Sequence, residues 1–173
     1  MQIEIQRLIL RDFKPGDFEQ LAPILADPRV MTYSRTGDIL SLSETKEKIQ
    51  GYIDSYGEYG FGKWAVILKE HSQLIGYCGI AVEPVDNKLE RELGYRLDYR
   101  FWNQGIATEA AKAAVQYGFE QLKFLYILGI VERQNQASVR VLKKVGMQYQ
   151  RQTVFYGVTM DVYGIKSHIP QRC

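Results

Sequence analysis

Apolar residues alternate in some stretches of the chain and recur every three or four residues in others, and the two periods divide it into elements. Ile3, Ile5, Leu8 and Leu10 predict a strand over residues 3–13 whose alternation slips near Arg7, as at a bulge. Pro15-Gly16-Asp17 opens a helix with Phe18, Leu21, Ile24 and Leu25 on one face, and Asp27-Pro28 ends it. Arg35-Thr36-Gly37-Asp38 reads as a loop. Ser43 suits the N-cap of a helix over 44–56 with Ile49, Tyr52 and Ile53 inward, and the Gly- and Tyr-rich residues 57–62 predict a mobile connection. Residues 63–68 and 74–82 predict a hairpin turned near Glu70-His71-Ser72, with Pro84 ending its second strand. A strand over 89–98 follows, then a helix after Gly105. In that helix Ala107, Ala111, Val115, Phe119 and Leu122 share one face, and Glu109, Lys112, Gln116, Glu120 and Lys123 the other, where Glu120 and Lys123 are spaced to pair. The apolar run 124–131 predicts a strand buried on both faces and completes a right-handed βαβ unit. Residues 135–145 predict a short helix with Ala137, Val141, Leu142 and Val145 inward and Gly146 at its C′ position. Strands over 147–155 and 160–165 close the chain. The expected class is α/β: a mixed, strongly twisted sheet with helices on both faces.

The chain has 173 residues, enough for one domain with a real core, and no repeat, low-complexity tract or linker divides residues 1–173. Its 22 Lys and Arg against 20 Asp and Glu leave a formal net charge of +2, which argues against a dedicated nucleic-acid surface. The two cysteines, Cys78 and Cys173, have neither metal-ligand nor disulfide spacing, so a reducing cytoplasmic compartment and no bound metal are expected. No basic segment followed by an apolar one stands at the N-terminus, and no run approaches the ~20 apolar residues of a membrane span, so no membrane partner is expected. His71 and His168 read as isolated surface residues.

The candidate chemistry begins where the 89–98 strand passes through Trp102-Asn103-Gln104-Gly105-Ile106-Ala107-Thr108 into the long helix. The first turn of a helix leaves main-chain N–H groups without intrahelical partners, and the helix dipole adds partial positive charge there, so such a junction can hold a phosphate. No Lys or Arg stands between Trp102 and Thr108, so the grip would be mainly main-chain. The run lacks the Gly-Lys-Ser/Thr of a Walker loop and the three glycines of a dinucleotide fingerprint. A plain strand-to-helix turn that needs one glycine also fits it.

W-N-Q-G-I-A-T-E-A closely resembles the acetyl-CoA pyrophosphate loop of the GNAT N-acetyltransferases, in the RimJ/RimL-like branch of ribosomal-protein N-terminal acetyltransferases. Against the general pattern Q/R-x-x-G-x-G/A, Trp102 takes the first place, Gly105 the central glycine and Ala107 the last small residue; Asn103 replaces a common glycine. R-L-I-L-R, the Pro-Gly-Asp helix start and D-P-R-V-M resemble the same branch. N-Q-A-S-V-R-V-L-K-K-V-G-M, from Asn135 to Met147, is similar to the family segment beside the pantetheine arm, with Asn135 and Ser138 matching; the two also fit a simple helix N-cap.

The resemblance implies a GNAT fold of six to seven strands and about four helices, splayed between the fourth and fifth strands. It implies acetyl-CoA as acetyl donor, no metal, and a primary amine as acceptor, on a peptide N-terminus or a small molecule, in a monomer or homodimer. Asn103, Gln104, Gly105, Ile106, Ala107 and Thr108 would hold the pyrophosphate beside Trp102. Backbone groups around Arg96 and Leu97 would bind the pantetheine arm and the thioester carbonyl. Glu92, in E-R-E-L-G-Y, is the candidate base for the amine; it also fits an exposed strand residue pairing with nearby arginines. Gly94 suggests a bulge or close backbone approach. Leu142 stands where many of these enzymes carry the Tyr that protonates the leaving thiolate, which keeps open a second reading, an acyl-CoA-binding module with little turnover. An unrelated phosphate-binding α/β domain is a third. Tyr52, Tyr56, Tyr59, Phe61 and Trp64 would form either an acceptor pocket or core.

Overall fold

The structure, a computed structural model, describes residues 1–34 and 37–168. Arg35 and Thr36 of the expected loop, and Cys173, lie outside them. In chain order the elements are β1 (Gln2–Glu4), β2 (Leu8–Arg11), α1 (Phe18–Leu25), α2 (Pro28–Met31), α3 (Leu42–Tyr59), β3 (Lys63–Leu68), β4 (Gln73–Val85), β5 (Lys88–Leu97), α4 (Ile106–Glu120), β6 (Tyr126–Val131), α5 (Gln136–Val145), β7 (Gln148–Phe155) and β8 (Val158–Lys166). The eight strands form one sheet in the order β1-β2-β3-β4-β5-β6-β8-β7. Neighbours are antiparallel except β5 and β6, which are parallel.

The sheet has more strands than the expected six to seven because residues 3–13 are not one bulged strand. Ile5 N–H donates to Leu8 O at 3.0 Å, and the slip near Arg7 is the turn of a β1–β2 hairpin. The short α2, capped by the Asp27 carboxylate on Arg29 N–H, exceeds the expected helices. α3 begins earlier than Ser43 allows. Ser41 Oγ accepts from Glu44 N–H and the Glu44 carboxylate accepts from Ser41 N–H, a reciprocal cap. The helix then runs through the expected mobile connection to Gly60, whose φ of 78° ends it in the left-handed region. Pro84 does not end β4, which continues to a turn at Asp86 and Asn87, both left-handed with φ of 49° and 63°. Residues 124 and 125 precede β6 rather than opening it. Lys123 Nζ donates to Glu120 O, not to its carboxylate.

The two faces of the sheet carry separate cores. Leu10, Val66, Ile75, Ile80, Leu93 and Leu97 pack under α4 and α5 with Ala111, Ala114, Val115, Val139 and Leu142. On the other face Ala65, Ile67, Leu74 and Tyr77 meet Leu21, Leu25, Val30 and Ile49 of α1, α2 and α3. The aromatic group is mostly core: Trp64 meets Tyr117 edge-on, Phe61 meets Phe124, and Tyr52 stacks on Phe13, while Tyr59 is exposed. Cys78 is buried, and burial pushes its thiol up to about 12, so it is an inert core group.

One polar pair interrupts the α3 face. Lys63 Nζ donates to Glu92 Oε2 at 2.6 Å, to Glu92 O at 3.1 Å and to Gly79 O at 3.3 Å. The two side chains are 7% and 13% exposed. Gly94 makes room for them, since a Cβ there would lie 2.4 Å from the ammonium. The close approach expected at Gly94 is therefore to a lysine. Removing one partner of a buried pair leaves the other charge uncompensated, so Lys63→Met is expected to lower the unfolding free energy by about 3–5 kcal/mol in urea titration. Adding Glu92→Leu should restore most of it; no recovery would show that the loss comes from packing instead.

Candidate active site

The parallel strands β5 and β6 touch at one register pair, Glu92 with Leu128, and then part. A cleft of about 700 Å³ opens beyond that point. In open α/β sheets such a crevice beyond the carboxyl ends of strands is where ligands bind. One wall is the end of β5, with Tyr95, Arg96 and Leu97; the facing wall is α5, with Asn135, Ala137, Ser138, Arg140, Val141 and Lys144. The loop Trp102 to Thr108, except Gln104, closes one end, and Arg29, Val30, Thr32 and Tyr33 around α2 close another. Asp98 N–H donates to Ile75 O of β4 at 2.8 Å. Alternation from that bond turns the main-chain groups of Tyr95 and Leu97 toward the gap and those of Arg96 toward β4.

The loop is shaped by two left-handed residues, Asn103 with φ of 58° and Gly105 with φ of 77°. Asn tolerates that region better than other non-glycine residues, so Asn103 adopts the left-handed backbone a glycine would allow. Trp102 is pinned by its indole N–H, which donates to Leu97 O at 2.9 Å. The first hydrogen bond of α4 runs from Glu109 N–H to Gly105 O. Among the described residues no protein acceptor takes the N–H groups of Asn103, Gln104, Gly105, Ile106, Ala107 or Thr108. Gln104 turns its side chain away, donating from Nε2 to Arg100 O at 2.9 Å.

A cation does support the loop, from the far end of the chain. Arg7 N–H and Nε donate to the two carboxylate oxygens of Glu109 at 2.8 and 2.7 Å, and Arg7 Nη1 donates to Gln104 O at 2.9 Å. Glu109, expected on the solvent face of α4, is 16% exposed and tied down instead. Arg7 opens the R-L-I-L-R run, but its role at the site had no local signal, because these contacts bridge about a hundred positions.

On the facing wall Asn135 Oδ1 accepts from Ser138 N–H at 3.1 Å and caps α5. The Ser138 and Tyr95 hydroxyls lie 2.7 Å apart across the gap between α5 and β5. Burial raises the Tyr95 phenol, which makes it a poor proton donor. Ala137, expected inward, is exposed and lines the cleft; Val141 lines the cleft as well but packs against the core, as Val145 does, and the fully buried residues of α5 are Val139 and Leu142. Leu142 is 2% exposed and packs over Gly129, where a Cβ would lie 2.7 Å from it. Arg96 spends its guanidinium on Val30 O at 2.6 Å, Tyr33 O at 3.4 Å and the Tyr77 hydroxyl at 3.3 Å, and so fixes the α2 wall. Burial alone would raise Tyr77, but Arg96, Lys48 and Lys63 outweigh it and bring it down to about 8. Neither Tyr77 nor Glu92 lines the cleft, and Glu92 meets Lys63 rather than the arginines beside it. His71 and His168 are exposed.

Residues 7–148 match the family model described as the acetyltransferase (GNAT) domain. This chain belongs to the GNAT acetyltransferases. It is an N-acetyltransferase by family. It is 31% identical to the YkkB protein of Bacillus subtilis over 94% of both chains. It is 30% identical to the N-acetyltransferase p20 of Bacillus licheniformis, over 91% of this chain and 90% of that one. A GNAT acetyltransferase of Bacillus anthracis superposes with a TM-score of 0.80 at 25% identity, over 96% and 98% of the two chains. RimL, a ribosomal L7/L12 α-N-protein acetyltransferase solved in complex with coenzyme A, shares the fold at a TM-score of 0.81 and 18% identity, over 96% and 98%. Among the described residues no helix is long and apolar enough to cross a membrane, and no group of three or more His, Cys, Asp or Glu could hold a metal ion.

Arg7→Ala should leave the fold intact and loosen this end of α4. A half-exposed ion pair is worth up to about 1 kcal/mol, so exchange of the Glu109 amide hydrogen should quicken roughly fivefold. Unchanged exchange there would mean that the loop holds its shape without Arg7.

Proposed function

We propose that the chain transfers an acetyl group from acetyl-CoA to a primary amine, the α-amine of a peptide or protein N-terminus or the amine of a small molecule. The observation that carries this reading is the row of N–H groups from Asn103 to Thr108, without protein acceptors, at the end of a cleft formed by two parting strands. That row suits a diphosphate. The pantetheine arm would then run along β5 beside Asn135 and Ser138, which brings the thioester toward the point where β5 and β6 part. The Tyr95 and Leu97 N–H groups, both turned to the gap, are the main-chain donors available to the oxygen on which negative charge develops. Binding of coenzyme A by RimL, which shares this fold, supports the same use of the cleft.

In the proposed reaction the amine nitrogen attacks the thioester carbonyl carbon, the carbon–sulfur bond breaks, and the sulfur leaves with the electron pair. Leu142 is core, so no hydroxyl acts from that position. A thiol of pKa about 8.5 can leave as thiolate without one. The amine proton goes to Glu92, the carboxylate at the last β5–β6 pair, through water along the parting strands. Lys63 holds one of its oxygens and so fixes its rotamer.

Two variants test the reading. Gly105→Glu meets no atom nearer than Arg7 Nη2, at 3.5 Å from the new Cβ, so the fold should survive with the modest strain of a left-handed glutamate. Its carboxylate would compete with Gln104 O and Glu109 for Arg7 and add negative charge to the loop that holds the diphosphate, so acetyl-CoA affinity measured by calorimetry should fall at least about tenfold. Wild-type affinity would remove the loop as the phosphate site. Glu92→Gln should slow turnover by about 10²–10⁴-fold with acetyl-CoA affinity nearly unchanged, read as thiol release with peptide and small-amine acceptors. Unimpaired turnover would leave the Lys63–Glu92 pair a purely structural one.

A further inference from the structure

The cleft is lined by four cationic side chains and by no carboxylate among the described residues: Arg29, Arg96, Arg140 and Lys144. Two of them are already committed. Arg29 pairs with Asp27 and stacks its guanidinium 3.4 Å over the Tyr99 ring. Arg96 donates to Val30 O, Tyr33 O and the Tyr77 hydroxyl. Arg140 and Lys144 have no hydrogen bond or ion pair among the described residues.

Their placement is specific. α5 presents Ala137, Arg140, Val141 and Lys144 to the cleft at spacings of three and four, with Ser138 at the deep edge against Tyr95. Arg140 and Lys144 stand one turn apart on the exposed edge of that stripe, at the mouth. Like charges so spaced repel. The helix dipole accounts for a lysine in the last turn of α5, but Arg140 is mid-helix, where the dipole gives it nothing. An anion at the mouth accounts for both. Coenzyme A carries three phosphates, and the main-chain N–H groups of the loop suffice for the diphosphate. The remaining one, on the 3′ position of the ribose, is a dianion and would reach past the loop toward the mouth.

Resting on the acetyl-CoA reading above, we propose that Arg140 and Lys144 form the site for the 3′-phosphate and make the enzyme discriminate coenzyme A from its 3′-dephospho form. Charge-assisted hydrogen bonds from two such donors are strong enough to set a preference of about tenfold or more.

The test is calorimetric titration of wild type, Arg140→Gln, Lys144→Gln and the double variant with coenzyme A and with 3′-dephospho-coenzyme A at one ionic strength. Wild type should prefer coenzyme A by about tenfold or more, and the preference should weaken with added salt. The double variant should lose about tenfold in coenzyme A affinity and less than about threefold in dephospho-coenzyme A affinity, leaving the two nearly equal. Retained binding of the dephospho form also reports that the variant is folded. Equal wild-type affinities, or a preference that survives in the double variant, would overturn the 3′-phosphate assignment and leave the cofactor reading standing. Wild-type binding of neither ligand would overturn both.

Discussion

The site depends on one interruption in the sheet. β5 and β6 are the sole parallel neighbours among the described strands, and they keep register at Glu92 and Leu128 alone. A sheet that paired them throughout would consume the main-chain groups of Tyr95 and Leu97 and leave no volume between β5 and α5. The parting is stable because each side is anchored separately: β5 pairs with β4 along its whole length, and β6 pairs with β8 from Tyr126 to Val131. The unpaired edge costs little, because the polar groups there face a cleft open to water.

What that gap receives is set by the connection across it. The chain leaves β5, turns through Asn103 and Gly105 in left-handed geometry, and starts α4 with its N–H groups aimed at the opening. A main-chain cradle binds an anion with little desolvation cost to itself and without a charged side chain that must be ordered first. The loop is preorganised at three points: Trp102 on Leu97 O, Arg7 on Gln104 O, and Arg7 on Glu109. Arg7 braces the loop from behind, and Glu109 neutralises its charge, so the pull on an anion stays with the main-chain N–H groups.

Much of this was legible in one dimension because it is local. The period of α4, the cap of α5 by Asn135, the left-handed Gly105 and Gly146, and the βαβ unit all follow from neighbouring residues. Some readings shifted within a few residues, as at the Ser41 cap of α3 and the short α2, and others needed a partner far along the chain. The slip near Arg7 had the same apolar pattern as a bulge, and only the pairing of Gln2 with Arg11 makes it a turn. Ala137 has the spacing of a core residue, but the surface it faces is a cleft. Glu92 has the alternation of a solvent-facing strand residue, and Lys63 of β3 converts it into half of a buried pair. Arg140 and Lys144 resemble ordinary helix surface until the wall opposite them is known to hold no acid.

The sequence by itself determined the periods of α4 and α5, which junction exposes main-chain donors, and the family resemblance that the comparisons then bore out, because capping, backbone angle and periodicity act over a few residues. Only the tertiary structure decided which groups those donors share a cavity with, that Arg7 braces them, and that Glu92 sits on a lysine. Those outcomes depend on strand order and on the divergence of two strands, and contacts made through space leave no periodic trace along the chain.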